Sequence, residues 1–266
     1  MDKWLIKHFK KLITYQGEWQ DIIKVCLYFL NNPCPGLYIR ELPVEVHTKF
    51  IEEHKSILRQ LLDVLIPEHI NKNETIFEKR FNLKYDEPLI RILLLDNTIA
   101  AKYFSGITDI SIKVSAFEKL FLPLKRVFIL ENKTNFSNIY NFLTLPQMKD
   151  SIALFGKGFG AGLLEKAEWL KDKTIYYWGD IDTHGLLILN QLRKSFPQTT
   201  AFLMDRETLT AHKKYWGQGE QTIQESPLYL TDDEKDLFRF LKKHNVRLEQ
   251  EKIEHEYVLS QIRKLE

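Results

Sequence analysis

Hydrophobic positions along this chain recur with two different periods, and the change between them divides it. Trp4, Leu5, Phe9 and Leu12, then Ile22, Ile23, Cys26, Leu27 and Leu30, fall at the three-to-four-residue spacing of helices. The cluster NNPCPG (31–36) interrupts that pattern, because proline and glycine do not continue a helix. Thr48 to Leu65 returns to helical spacing and predicts a helix that stops before Pro67. The charged segment FEKRFNLKYDEPLIRILLLD (77–96) ends in a strand-like run, LIRILLLD, read as the wing or edge of a small α+β module.

From Val127 the texture changes. VFILE (127–131), SIALFG (151–156), TIYYWGD (174–180) and TTAFLMD (199–205) are short apolar runs, each ending in glycine or an acid. Helix-like segments separate them: Asn135 to Leu143, Ala161 to Leu170 and Gly185 to Phe196. Alternation of this kind predicts right-handed crossovers and a parallel sheet, and near-continuous hydrophobicity predicts strands covered on both faces. The tail, Thr231 to Glu266, reads as charged amphipathic helix with Leu237, Leu241, Leu248, Ile253 and Val258 facing inward.

Composition narrows this picture. A chain of 266 residues makes one large domain or two modest ones, and 44% hydrophobic with 28% charged residues is globular rather than disordered. With 38 basic and 36 acidic residues the net charge is +2, so a nucleic-acid surface would have to be a local patch. Two cysteines, Cys26 and Cys34, form no disulfide framework and fit a reducing compartment. The apolar run Val25 to Leu30 is far too short for a membrane span, and charges interrupt the opening MDKWLIKHFKKL, which excludes a secretory signal. The expectation is a soluble cytoplasmic protein.

Ligands of open parallel sheets bind beyond the strands' carboxyl ends. There this sequence places Glu131, then Asp180 and Asp182 in GDIDTHG, and Asp205. Residues i and i+2 of an extended chain share a side, so Asp180 and Asp182 can face one cation, and hard divalent ions such as Mg²⁺ take carboxylate oxygens. The structural alternative is that Asp182 or Thr183 caps the helix beginning near Gly185, and that Asp205 serves a turn or a cap. The turn GKGFGAG (156–162) offers a rival function. Gly156, Gly158 and Ala161 spell G-x-G-x-x-A, with Asp180 placed to hold a ribose, as in a nucleotide-binding oxidoreductase. The plain reading is a tight turn, with Lys157 available to a phosphate. His184 is a candidate metal or DNA contact beside a helix start, and Arg247 and Glu251 at i, i+4 read as a surface ion pair.

RVFILEN, FGKGFG, YYWGDIDTHGLLILNQLR, FLMDRETLTAHKKYWG and RLEQEKI resemble the C-terminal part of the JetD family of Wadjet plasmid-defence systems. YIRELPVEVHTKFIEEHKSILRQLLD and FEKRFNL extend the resemblance upstream to about Leu37. The resemblance implies an α/β fold: a Toprim domain preceded by a winged-helix-like α+β module, similar to the A subunit of type IIB topoisomerases. It divides the chain into an N-terminal helical segment (1–36), a winged-helix-like module (37–122), a Toprim domain (123–215) and a helical C-terminal extension (216–266). Toprim proteins carry a glutamate after the first strand and D-x-D after the third, which Glu131, Asp180 and Asp182 match. Implied with them are Mg²⁺ or Mn²⁺, cleavage of double-stranded DNA by a homodimer, and recruitment by an SMC/kleisin-type motor complex. Asn132 stands where topoisomerase-like Toprim domains have glycine, which distances the chain from strand passage, and the N-terminal region is short for the family, as in a truncated or compact relative. A catalytically inactive DNA-binding or assembly module is the further alternative. Arg40, Lys49, Arg80, Lys157 and His184 are the candidate DNA contacts. Type IIB topoisomerases attack with a tyrosine. Here Tyr28 and Tyr38 stand nearest that region without an evident activating neighbour, so hydrolysis by water is expected.

Overall fold

A computed structural model describes residues 2–47, 49–132, 139–157, 161–220, 222–223 and 227–265. The chain forms two compact units, 1–86 and 87–266. In the first, the described residues form helices and turns, with no strand. The helix Trp19–Asn31 buries Ile22, Val25, Cys26 and Phe29 against Ile57, Leu58, Leu61 and Leu62 of the helix Lys55–Leu65. The helix expected over Thr48 to Leu65 is broken at His54, where Phe50–Glu53 ends and Lys55–Leu65 begins. Its ring stacks on Phe50 and its Nδ1 pairs with the Phe50 carbonyl at 2.8 Å. Cys26 and Cys34 are free thiols, and burial pushes Cys26 up to about 12.

The second unit is built on a six-stranded sheet in the order β2-β1-β4-β3-β5-β6. Its strands are β1 (Leu89–Leu94), β2 (Asp109–Lys113), β3 (Arg126–Asn132), β4 (Ser151–Lys157), β5 (Thr174–Trp178) and β6 (Thr199–Ala201). β3 to β6 are parallel, with Val127 opposite both Ile152 and Ile175. Val127, Phe128, Ile129 and Leu130 are all buried, so both faces of β3 are covered, as its unbroken hydrophobicity requires. β1 runs antiparallel to β4 and to β2. The run LIRILLLD is therefore no wing: it extends the sheet, and residues 87–122 belong with the sheet rather than with the N-terminal module. Leucine and isoleucine on an extended chain bury equally well against either partner, and here β1 pairs along β4.

One crossover and one strand differ from expectation. Ala161 to Leu170 forms 3₁₀ turns, Ala161–Leu163 and Glu168–Asp172, in place of an α-helix. Its buried residues Leu164, Ala167 and Leu170 are three apart, the repeat of a 3₁₀ helix rather than of an α-helix. β6 stops at Ala201, because Leu203 takes a left-handed conformation (φ 55°) that extended pairing does not allow. In the tail, the helix Asp232–His244 opens with a capping box of Thr231 and Glu234 and closes at Asn245 in the left-handed region. Beyond it β8 (Val246–Arg247) pairs antiparallel with β7 (Gly217–Gln218). Among the described residues no helix is long and apolar enough to cross a membrane.

Candidate metal centre

From β3 the chain crosses to β4 on one side, and β5 then lies on the other side. This makes the carboxyl ends of β3 and β5 the switch point of the sheet, the place where ligands of such sheets bind. Leu130 lies opposite Trp178. Glu131 follows the first and Gly179-Asp180 the second, so both acid-bearing segments leave the sheet side by side. On the other flank, Glu131 and Asn132 lie opposite Gly156 and Lys157 of β4. Glu131 and Lys157 are placed here by their strand backbones only.

The segment after β5 is held rigidly. The Gly179 amide donates to Met204 Sδ at 3.2 Å, and Ile181 exchanges backbone hydrogen bonds with Leu248, at 2.9 and 3.1 Å. Asp180 and Asp182 are buried, 5% and 2% exposed. Asp182 is the N-cap of the helix Thr183–Ser195, its Oδ1 accepting from the Gly185 amide at 2.7 Å. The cap and the shared-face readings of Asp182 are therefore compatible, since one oxygen caps and the other points to the neighbouring acid's partner.

That partner is Arg247. Its Nη2 donates to Asp180 Oδ2 at 2.6 Å and its Nε lies 3.5 Å from Asp182 Oδ2, while Asp180 Oδ1 accepts from the Gln250 amide at 2.8 Å. Burial raises the Asp180 carboxyl above the ordinary aspartate range and the Asp182 charge adds to the rise, which the Gln250 amide and Arg247 oppose without cancelling. Burial would lower the Arg247 guanidinium, yet its bond to Asp180 and the charges of Asp180, Asp182 and Glu249 prevail and raise it. Arg247 and Glu251 do not share a helix. Asn245 ends the helix, so Arg247 lies on a strand, where i and i+4 do not share a helical face. The burial of RLEQE has period two: Leu248 and Gln250 are fully buried, Arg247 and Glu249 partly exposed. The sequence carries only part of that alternation, Val246 and Leu248, because the buried Gln250 is polar.

The donor set suits a hard cation. Two carboxylates converge, and a guanidinium already serves as cation to both, although among the described residues no cluster of three or more His, Cys, Asp or Glu side chains forms a metal cage. Asp180 and Asp182, with Glu131 from the adjoining strand end, are the residues that would hold a divalent ion.

The other sequence candidates separate. His184 is exposed on the first turn of Thr183–Ser195, beside the acid pair. Asp205 caps the helix Arg206–Ala211 through the Thr208 amide at 2.7 Å, and Glu251 is exposed on the turn Gln250–Lys252. In the N-terminal unit Arg40 is exposed and paired with Glu52 at 3.2 Å, and Lys49 is exposed. Arg80 is a correction. It is buried, donating to Asp63 at 2.7 Å and to the Asn71, Lys72 and Glu74 carbonyls, so it organises a loop and offers nothing to DNA. Residues 158–160 of the glycine turn lie outside the described residues.

A family model described as Wadjet protein JetD, C-terminal, matches residues 82–262, about two thirds of the chain. The chain belongs to the Wadjet JetD family. The matched stretch covers nearly all of the sheet unit, and with it Glu131, Asp180, Asp182 and Arg247 of this JetD-family chain. A second model, described as an uncharacterized protein conserved in bacteria, N-terminal (DUF3322), matches residues 1–63, within the helical unit. No curated protein matches the chain.

Proposed function

We propose that this JetD-family chain is a nuclease that hydrolyses double-stranded DNA with Mg²⁺ or Mn²⁺, its sheet unit serving as a Toprim domain. The observation that carries the reading is the pair of buried aspartates at the switch point, neutralised in part by one arginine. Two desolvated carboxylates side by side are costly and are kept where a cation is to be held. When bound, the ion supplies neutralisation of charge on a phosphate and an acidified water. Asp180 and Asp182 would hold it, their positions set by the Ile181–Leu248 bridge and by the helix start. Glu131 would be a third ligand or would move a proton. The exposed His184 stands where a phosphate could approach.

The helical unit, in the place of the winged-helix-like module, contributes DNA contacts from Arg40 and Lys49. In this reading the chain acts as a homodimer with an SMC/kleisin-type motor on plasmid DNA, which membership of the Wadjet JetD family supports. Tyr38 is 43% exposed at the start of the turn Ile39–Glu41, and no base lies hydrogen-bonded to its hydroxyl among the described contacts. In this reading water is the nucleophile, and the ends are free 5′-phosphates.

Supercoiled plasmid incubated with the protein and Mn²⁺ should be nicked and linearised, EDTA should abolish this, and Asp180→Asn and Asp182→Asn should each reduce it by at least about a hundredfold. Denaturing gels should show no protein-linked DNA. Wild-type rates in either variant would remove the acid pair from the chemistry, and an adduct lost in Tyr38→Phe would replace hydrolysis by tyrosine attack.

A further inference from the structure

Arg193, which holds this fold together, is engaged through all three of its nitrogens. It meets Glu234 with both terminal nitrogens, one at 2.8 Å, and its remaining donors reach the Thr199 and Tyr229 carbonyls. Arg80 gives its Nε to Asp63 at 2.7 Å and its Nη1 to the Lys72 and Glu74 carbonyls. Arg247 is different. It touches Asp180 through one nitrogen at 2.6 Å, stands 3.5 Å from Asp182 and 3.6 Å from Glu249, and its buried Nε lacks a hydrogen-bond partner. The guanidinium is stretched between two carboxylates instead of being forked onto one, an arrangement that forgoes the bidentate geometry arginine favours. A quarter of its side chain remains exposed, so it has a path away from the acids. Its backbone, by contrast, is fixed, through pairing with Gly217 and through the Leu248–Ile181 bridge next door.

We propose that Arg247 is a displaceable internal cation: it holds Asp180 and Asp182 together while the centre is empty, and a divalent ion binds by displacing it from them. This deepens the metal reading above and rests on it. Two buried carboxylates without a cation would repel each other and splay apart. The arginine keeps them at a separation a metal can use, and it sets a threshold, since the ion must break a charge-assisted hydrogen bond to enter. Arg247 is thus a positioning residue that also competes with the ligand. A purely structural arginine predicts the reverse sign: removing it would loosen the acids and weaken binding.

Mn²⁺ binding to the full chain without DNA, measured by calorimetry, separates the two. Arg247→Gln should bind Mn²⁺ about tenfold more tightly than wild type, equivalent to about 1.4 kcal/mol, whereas Arg247→Lys, which keeps the charge, should remain near wild type. Equal or weaker binding by a folded Arg247→Gln overturns the proposal while leaving the metal reading intact. If Arg247→Gln does not fold, the wild-type Arg247 Nε–H resonance decides. It should move on Mg²⁺ titration and saturate with binding, and a resonance that stays put while Mg²⁺ binds overturns displacement. Binding by Arg247→Gln alone would support it, and binding by neither protein would overturn the metal reading and this proposal together.

Discussion

Gly185→Ala is the substitution for which helix propensity and tertiary geometry disagree most sharply. In an open helix, alanine in place of glycine stabilises by roughly 1 kcal/mol. Here a Cβ at position 185 would lie 2.2 Å from the Asp180 carbonyl oxygen and 3.2 Å from Met204 Cε, where real Cβ atoms keep at least 3.0 Å. The difference between 2.2 and 3.0 Å means that two backbone segments must part by roughly 0.8 Å. Neither gives way easily: the strand end is bridged to Leu248, and the helix start is fastened by the Asp182 cap. Overpacking of this kind costs about 1–3 kcal/mol, and loss of the cap adds about 0.5–2 kcal/mol. With roughly 2–4 °C per kcal/mol for a unit of this size, the melting temperature should fall by about 3–20 °C. Thermal and urea unfolding of wild type and variant, followed by circular dichroism, measure it directly. A variant that melts at or above the wild-type temperature would refute the close approach of helix and strand that places the acid pair.

Two further outcomes follow from buried ion pairs. Arg193 and Glu234 fasten the helix Asp232–His244 to Thr183–Ser195, and a double-mutant cycle in urea should give a coupling of about 1–3 kcal/mol. Burial alone would raise Glu234, but Arg193 and the Thr231 amide outweigh it and hold the carboxyl below its ordinary value. The pair's contribution is therefore fully present above the unfolded pKa of about 4.3 and is lost as pH falls through the folded value. Urea midpoints against pH should show that acid limb in wild type and a flatter one in Glu234→Gln. Arg80→Ala should destabilise the helical unit by about 2–4 kcal/mol, and Arg80→Lys should not restore it, because one ammonium cannot serve Asp63 and three carbonyls at once; denaturant titration distinguishes the two.

Much of the centre was legible as placement. Glu131 and the Asp180–Asp182 pair end apolar runs, and parallel strands present their carboxyl ends at one edge. The cap at Asp182 was equally readable, because Gly185 lies at the third helical position, where a cap's acceptor is needed. The role of Arg80 is not legible in the sequence, because a basic residue in a charged segment looks the same whether it meets water or a ring of carbonyls. Only the fold of residues 71–76 around it tells them apart.

Local patterning determined what each segment could become: hydrophobic runs became strands, amphipathic stretches became helices, and acids came to the ends of strands. Those properties depend on neighbours a few residues away, and the amino-acid order states them outright. The tertiary structure alone decided that β1 would join the sheet next to β4, that β3 and β5 would lie side by side, and that Arg247, 67 residues after Asp180, would become its partner. Such choices are made by competition among distant surfaces of similar hydrophobicity and charge. Any strand edge can accept LIRILLLD and any acid can attract an arginine, so the outcome depends on which arrangement buries the most apolar surface with its polar groups still satisfied.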